Sequence, residues 1–203
     1  MLLKIFDKNP NSAHVRKAVE ILRDGGVIIM PTDTVYAFAC DLFNKNGIET
    51  IAKIKNKDLS KSYLSFACSK ISQISEYAKM NNADYKLIKQ NFPGPFTFIL
   101  WGNNNLPKLF KNRKTVGVRM PDNPVTQAII EELGNPLMTS SIFYNDETVE
   151  YITDPELIDE KYGVLVDLVV DGGEGGTTPS AIVDCTSADA PQIVREGSKE
   201  LIM

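Results

Sequence analysis

The sequence predicts a single α/β domain built on a mixed sheet that helices cover. Stretches with helical spacing alternate with short β-rich stretches along nearly the whole chain. Late in the chain, two pairs of predicted strands lie too close together for a crossover helix between them, which favours a mixed sheet over a purely parallel one. The 203 residues, 43% of them hydrophobic, supply enough apolar material for one core. We therefore predict one domain that spans residues 1–203.

The first half of the chain carries start and stop signals for several elements. Ser12 is the predicted N-cap of a helix over 12–24, which Gly25 and the glycine after it end. Residues 27–30 predict a buried strand that ends at Pro31. The other elements predicted here are an apolar stretch at 34–40, a helix that follows Asn46, a strand at 63–68 and helices at 72–80 and 83–90.

Turn residues separate the elements of the second half. The segment 92–95, Phe-Pro-Gly-Pro, predicts a sharp turn, and Gly134 predicts the end of an amphipathic helix over 124–133. Glycine occupies all but one position of 172–176, which predicts a flexible loop. The other elements predicted here are strands at 96–101, 116–120, 137–141, 165–170, 180–184 and 192–195 and a short helix at 155–161.

The composition argues against a membrane protein and against imidazole chemistry. The longest apolar stretch, 26–30, is far too short to span a bilayer, and Lys4 comes too early for a signal peptide. We therefore expect a cytoplasmic protein with no membrane partner. His14 is the single histidine and is predicted to lie on a helix surface, so most hydrolase mechanisms that need an imidazole base are excluded.

The cysteines favour neither a disulfide framework nor a metal site. Cys40, Cys68 and Cys185 are far apart, and no Cys-x-x-Cys pair exists. We interpret each cysteine as a small buried hydrophobic side chain, and we expect no protein-bound metal.

The net charge of -4 does not indicate a generally basic nucleic-acid binder, but the lysines are clustered. Residues 53–61 contain Lys53, Lys55, Lys57 and Lys61, which repel one another unless an anion lies among them. One interpretation is a loop that holds phosphates. The other is a solvated basic helix end that the helix dipole favours. The charges alone leave both open.

Polar residues also follow several predicted strands. The turn Pro31-Thr32-Asp33-Thr34 puts two hydroxyls and a carboxylate at the end of a buried strand, where ligands of open α/β sheets often bind. A turn stabilised by its own side chains is the alternative. Thr139-Ser140-Ser141, Pro179-Ser180 and Arg195-Glu196-Gly197 are similar candidates, whereas 172–176 lacks the Gly-Lys-Ser/Thr of a P-loop.

Taken in order, these motifs resemble the YrdC/YciO family from about residue 15 to Gly197. The resemblance implies a twisted open sheet of the YrdC/RibB-like kind with a positively charged concave face. The motifs that carry it are Pro31-Thr32-Asp33-Thr34-Val35-Tyr36, Ile54-Lys55-x-Lys57, Phe92-Pro93-Gly94-Pro95-Phe96-Thr97, Val118-Arg119-Met120-Pro121-Asp122, Thr139-Ser140 and Pro179-Ser180-Ala181-Ile182-Val183-Asp184.

The resemblance also implies an activity. The family's best-known members are nucleotidyltransferases that convert L-threonine, bicarbonate and ATP, the last as its Mg²⁺ complex, into threonylcarbamoyl-AMP and pyrophosphate. The product serves threonylcarbamoyladenosine formation on tRNA, and members are also described as double-stranded RNA binders. The implied roles are ATP phosphate binding for Lys55, Lys57 and Lys61, the first two also catalytic, nucleotide contacts for Ser140, Ser180 and Arg195, and a threonine and carbamate pocket for Thr32, Thr34 and Arg119.

The chain departs from the synthase pattern at several positions and is closer to the YciO branch. It has Lys57 where synthases usually have Arg, which removes a bidentate donor but keeps the charge. Ser62-Tyr63 replaces the usual Pro-Leu, Ile142 replaces a nucleotide-binding Asn, and Phe66 stands where many synthases have His. The resemblance therefore leaves two expectations: a threonylcarbamoyl-AMP synthase, or a nucleotide- or double-stranded RNA-binding protein with little or no synthase activity.

Overall fold

The structure, a computed structural model, describes residues 1–56, 65–110, 114–142, 148–187 and 190–203. The strands are β1 (Leu2–Lys4), β2 (Ile28–Met30), β3 (Ala37–Asp41), β4 (Ser65–Ala67), β5 (Ala78–Lys79), β6 (Phe96–Gly102), β7 (Thr115–Arg119), β8 (Leu137–Ser141), β9 (Leu168–Asp171), β10 (Ala181–Asp184) and β11 (Gln192–Arg195). The helices are α1 (Ser12–Arg23), α2 (Lys45–Ile54), α3 (Ile71–Tyr77), α4 (Asn82–Asn91), α5 (Pro124–Leu133), α6 (Glu150–Thr153) and α7 (Pro155–Tyr162), with a 3₁₀ helix at Lys108–Phe110.

The described strands form one sheet, and the prediction of a mixed sheet is confirmed. Its order is β1-β9-β2-β3-β8-β4-β7-β6-β10-β11, with β5 paired to β6. Parallel pairs such as β4–β7 and β6–β10 occur beside antiparallel pairs such as β3–β8 and β6–β7. The late hairpin β10–β11 is antiparallel, as the short connection between these strands requires.

Alternation along the strands gives the sheet two different faces. Phe38, Phe66, Phe98 and Val118 lie on one face, which we call the core face. Residues of α2, α3, α4, α6 and α7 belong to the same hydrophobic cluster, so these helices cover the core face. The aromatic and β-branched residues of the central strands are therefore buried there.

Helices cover the opposite face only in part. The apolar residues of α1 and α5 form a second cluster with Ala39, Ala67 and Leu137. On the same face, Ala37, Ser65 and Thr139 lie two residues away from these three positions along their strands. They belong to neither cluster of apolar side chains. We call this part of the sheet the uncovered half-face.

Most predicted elements are confirmed, and the differences lie at their ends. Asn11, not Ser12, caps α1, because its Oδ1 accepts from the backbone N–H groups of the next turn. Asn44 caps α2 in the same way, so that helix begins before Asn46. Gly134 ends α5 with φ +83°, as predicted.

Tertiary contacts override the local pattern in two further places. The helix predicted at 72–80 ends at Tyr77, because the next two residues pair with β6. The strand predicted at 165–170 begins at Leu168, since Leu165 instead donates to the Tyr162 carbonyl in a turn. The sequence analysis did not identify β1 and α6, and of the strand predicted at 63–68 only Ser65–Ala67 lies in the described residues and is a strand.

The cysteines and the histidine lie close to where the sequence predicts them. Cys40 and Cys68 are buried, as predicted, whereas Cys185 is half-buried. His14 lies on α1, where its Nδ1 is 2.8 Å from the Lys4 carbonyl oxygen. In the part of the chain that the structure describes, no helix has the length and apolar character needed to cross a bilayer.

The glycine-rich segment 172–176 is attached to the start of β3 rather than free in solvent. The Tyr36 hydroxyl donates to the Gly173 carbonyl at 2.7 Å and accepts from the Gly172 amide at 3.1 Å. A Cβ on Gly175 would lie 2.6 Å from the Tyr36 ring, and one on Gly176 would collide with the Thr34 carbonyl. Glycine is therefore needed there for close approach, and the prediction of a flexible loop gives way to a packed one.

Replacing Tyr36 by Phe should destabilise the domain. The variant loses both hydroxyl contacts and leaves two partly buried backbone groups without this partner, so we expect the free energy of unfolding to fall by about 1–3 kcal/mol. Urea unfolding followed by circular dichroism measures the change. Tyr85→Phe, at an exposed tyrosine of α4, is the matched control. Equal midpoints for the two variants would contradict the assigned role of the Tyr36 hydroxyl.

Candidate functional site

A cavity of about 340 Å³ opens on the uncovered half-face, a volume within the range of small-molecule sites. Successive strands of the sheet, from β3 across to β11, contribute its walls, and the end of α2 contributes one lysine. The lining residues are Ala37, Lys55, Ser65, Thr97, Ile99, Gly117, Arg119, Thr139, Ser140, Ser141, Pro179, Ser180, Ile182 and Arg195.

Small and hydroxyl side chains make up the floor of this cavity. Ser65 pairs in register with Thr139 on one side and with Gly117 on the other, and Gly117 pairs with Ile99. The Ser65 and Thr139 hydroxyls are 3.3 Å apart. Larger side chains at these positions would fill the space. The sequence analysis missed Ser65, Thr97 and Gly117, and the signal that identifies them is a polar or small residue at every second position of an otherwise apolar strand.

Lys55 is buried in this site rather than solvated at a helix end. It is the C-cap residue of α2, only 7% exposed, and its Nζ donates to the Ser141 carbonyl at 2.6 Å. The same Nζ lies 5.8 Å from the centre of the Phe38 ring, within cation–π range. Lys53, two residues earlier, is exposed. For Lys55, the solvated alternative is therefore wrong, whereas Lys57 and Lys61 lie outside the described residues.

Arg195 and Ser180 form a second part of the lining, as the sequence analysis expected. The Arg195 Nε and Nη2 donate to the Ser180 carbonyl at 3.0 and 2.7 Å, a forked contact that fixes the guanidinium plane. The Ser180 hydroxyl is 2.8 Å from that of Thr97. Partial burial of the guanidinium lowers the pKa of Arg195 from its usual value, although the residue as a whole is exposed.

Arg119 is held by the turn that follows β2. Its Nη2 donates to Asp33 Oδ1 at 2.9 Å and to the Thr34 hydroxyl at 3.0 Å. The Thr34 hydroxyl is in turn 3.0 Å from that of Thr32, which donates to the Val35 carbonyl at 2.7 Å. Thr32 and Thr34 thus stand behind Arg119, and the turn is also stabilised by its own side chains, because the Thr34 amide donates to Thr32 Oγ1.

Ser140 lines the cavity, but its position differs from that of its neighbours in β8. It pairs in register with Phe38, whereas Thr139 and Ser141 pair with Ala39 and Ala37. Alternation therefore directs the Cβ atoms of Thr139 and Ser141 toward the uncovered half-face and that of Ser140 toward the core face. The hydroxyls on either side of Ser140 are the better placed donors in this strand.

The charged lining residues among those described are cations, namely Lys55, Arg119 and Arg195. Asp33 lies behind Arg119 as its ion-pair partner, with both side chains 8% exposed. Burial lowers the pKa of Arg119, the Asp33 carboxylate opposes that shift, and the nearby Arg195 adds to it. Cationic side chains in the described lining favour an anionic ligand; the positive charge of the whole face stays a prediction.

Other concavities of the described surface lack this convergence. One of about 460 Å³ lies between α4 and the end of β10, beside Cys185. Asn81 on its rim is already used, since its side chain caps α4 together with Asp84. In the part of the chain that the structure describes, no group of three or more His, Cys, Asp or Glu side chains is close enough to hold a metal ion.

The cavity should bind a compact polyanion in competition with salt. We expect inorganic tripolyphosphate at about 100 times its Kd to stabilise the folded chain by about 2.7 kcal/mol. Thermal unfolding at increasing tripolyphosphate concentration measures the effect. Arg195→Gln should weaken it, whereas Arg16→Gln, at an exposed arginine of α1, should leave it unchanged. Equal stabilisation of both variants would mean that the anion binds elsewhere.

Comparison with known proteins places this chain and its fold in one family. The sequence model of the Sua5/YciO/YrdC family, described as telomere recombination, matches residues 20–197. YciO of Escherichia coli (strain K12) is 39% identical over 196 residues, which cover 95% of this chain and 93% of YciO. Threonylcarbamoyl-AMP synthase of Coxiella burnetii (strain RSA 493) is 28% identical over 180 residues, or 86% of this chain and 94% of the enzyme.

The solved structures agree with the sequence matches. The crystal structure of E. coli YciO has a TM-score of 0.90 at 36% identity and covers 98% of this chain and 97% of its own. Sua5 of P. abyssi, in complex with L-threonine, has a TM-score of 0.85 at 23% identity and covers 97% of this chain and 57% of its own, a likeness of fold. With a family match over most of its length and a relative 39% identical, the chain belongs to the Sua5/YciO/YrdC family.

Proposed function

We propose that the chain binds ATP in the cavity of the uncovered half-face and makes threonylcarbamoyl-AMP from L-threonine, bicarbonate and ATP. The observation that carries the proposal is the convergence of Lys55, Arg119 and Arg195 on one cavity. Family membership supports it, because relatives such as the Coxiella burnetii enzyme are named threonylcarbamoyl-AMP synthases. The product would serve threonylcarbamoyladenosine formation on tRNA.

The proposed reaction has two steps. The neutral amine of L-threonine combines with bicarbonate to form a carbamate, and one water is lost. A carbamate oxygen then attacks the α-phosphorus of ATP, which enters as its Mg²⁺ complex, and the bond from that phosphorus to the oxygen bridging the β-phosphate breaks. Pyrophosphate leaves with the electron pair, and threonylcarbamoyl-AMP remains.

Positioning and charge neutralisation are sufficient for this chemistry, and the site supplies both. In the proposed scheme Lys55 neutralises charge on the phosphates, and Lys57 and Lys61 share that role. Arg195, Ser180 and Ser140 hold the nucleotide. Arg119, supported by the two threonines behind it, binds the carboxylate or the carbamate of the amino-acid substrate. No imidazole or thiolate is required, which suits a chain with one histidine that lies on α1.

A second candidate function is nucleotide or double-stranded RNA binding with little or no synthesis. Ile142, where the resemblance expects an asparagine that contacts the nucleotide, is fully buried in the hydrophobic core, and its side chain cannot donate a hydrogen bond. Identity to YciO, at 39%, also exceeds identity to the synthase, at 28%. Both observations favour a chain that keeps the cavity and has lost part of the nucleotide contacts.

Pyrophosphate release tests the first candidate. The purified chain is supplied with ATP, Mg²⁺ and bicarbonate, with and without L-threonine, and we expect release that depends on threonine. Lys55→Ala should reduce the rate at least about 100-fold, because it removes a preorganised cation from the transition state. Lys53→Ala, at the exposed lysine on the same helix, should retain the wild-type rate.

Circular dichroism of both lysine variants checks that each is still folded, so that a lower rate is not caused by unfolding. Release that is absent with threonine, in a folded chain that still binds ATP, would contradict the synthase proposal and favour the binding protein. A rate that falls equally in both variants would show that the assay responds to total positive charge rather than to the cavity.

Salt dependence of RNA binding tests the second candidate. A protein that makes 6–10 phosphate contacts loses roughly 10³–10⁵ in affinity between about 50 and 200 mM salt. We expect such a fall for a labelled RNA duplex measured by fluorescence anisotropy, and we expect ATP to compete with the duplex for the same cavity. Binding that is insensitive to salt and to ATP would argue against the cavity as the RNA site.

A further inference from the structure

The buried carboxylate of Asp33 has no part in the scheme above, although it lies in the same turn as Thr32 and Thr34. It does not line the cavity, and its side chain is 8% exposed, so a ligand in the cavity does not reach it directly. Burying a carboxylate is costly unless it is paired, and Arg119 is the partner that compensates it, at 2.9 Å. Because burying this ion pair costs free energy, its presence calls for a functional explanation.

The geometry of the Asp33–Arg119 pair suits positioning of the guanidinium better than it suits a purely stabilising ion pair. Asp33 contacts a single guanidinium nitrogen, Nη2. Among the described residues, Asp33 Oδ2 and Arg119 Nε are both buried and have no hydrogen-bond partner. A pair built for stability alone would use the bidentate contact that guanidinium and carboxylate favour. The single contact holds one corner of the guanidinium, while Arg119 still lines the cavity.

The turn that carries Asp33 is itself fixed to the scaffold. The buried Thr126 hydroxyl of α5 donates to the Pro31 carbonyl at 2.6 Å, and Thr34 adds a second acceptor for Arg119 Nη2. Two acceptors on one anchored turn therefore define where that nitrogen lies. The Asp33 carboxylate is thus held in place, and it restricts the Arg119 side chain, which otherwise has several rotatable bonds.

Electrostatic interactions make the Asp33 carboxylate necessary for keeping the Arg119 guanidinium in place. Arg195 lies close enough to Arg119 to disfavour its charged form, and burial has the same effect. Without the carboxylate, Arg119 would be a buried cation that lacks an opposite charge, which is strongly destabilising. The carboxylate does not line the cavity, so it can stabilise the cation without occupying the site.

We propose that Asp33 is a positioning residue that holds the Arg119 guanidinium in the cavity wall, where Arg119 binds the anionic group of the ligand. The inference rests on the role proposed above for Arg119. It adds that affinity for an anion at this site depends on a residue that never touches the anion.

Asp33→Asn tests the proposal, because asparagine keeps the size and one acceptor but removes the charge. The affinities of the wild type and the variant for L-threonine and for inorganic tripolyphosphate are measured by calorimetry. We expect Asp33→Asn to weaken binding of the probe that Arg119→Lys also weakens, by roughly 10- to 100-fold. The double variant should lose no more than Arg119→Lys alone, since Asp33 acts through Arg119.

Asp41→Asn separates positioning from loss of stability. Asp41 is also a buried carboxylate, it accepts from the Phe43 amide and from Asn135 Nδ2, and it lies at the far end of β3. This variant should lower the thermal midpoint and keep the probe affinities. Equal affinity losses in both aspartate variants, or additive losses in the double variant, would overturn the proposal.

The remaining outcomes are also decisive. A wild-type chain that binds neither probe overturns the proposal, because Arg119 then has no anion to hold. A chain that releases no pyrophosphate but binds tripolyphosphate, with the expected loss in Asp33→Asn, upholds the positioning role while the synthase proposal fails.

Discussion

The structure depends on one constraint, which is that helices cover most of one face of the sheet and a smaller part of the other. A strand exposes alternate side chains to the two faces, so each central strand must be bulky and apolar on one side and small or polar on the other. Phe66 and Ser65, adjacent in β4, show the two requirements in one dipeptide. Because α1 and α5 end before the cavity, polar residues reach the sheet surface there without being sealed in an apolar interior.

Within this frame, each cation of the cavity is stabilised in a different way. Lys55 uses a backbone carbonyl and an aromatic ring, Arg195 uses the carbonyl of Ser180, and Arg119 uses a carboxylate. Three cations among the described lining residues converge on one cavity, so a polyanion is the ligand class that fits the site best.

Much of this arrangement was predictable from the sequence. The order of elements and the mixed sheet follow from periodicity and turn residues. The resemblance to the family implied the site residues Lys55, Arg119, Ser140, Ser180 and Arg195, all of which line the cavity. The burial of Lys55 was not predictable, because the local sequence of a lysine-rich helix end does not distinguish a solvated end from one packed against β8. The pairing of Asp33 with Arg119 joins positions 86 residues apart, and nothing local to either residue indicates it.

The errors in the secondary structure have the same origin. Ala78–Lys79 continues a helical pattern but pairs with β6, since an edge of the sheet offers backbone partners that a frayed helix end lacks. β1 spans only three residues, too few for a pattern to be recognised, and it forms because β9 provides a parallel partner. In each case a contact distant in sequence decides between two conformations that the local residues allow almost equally.

The floor of the cavity has a consequence for how the protein folds. Its residues come from β3, β4, β7, β8, β6 and β10, which are spread over most of the chain and are neighbours only in the finished sheet. No contiguous fragment contains enough of them to form a partial site. Ligand affinity is therefore a property of the whole assembled domain, and a bound ligand protects strands near both chain ends against opening as a single cooperative unit.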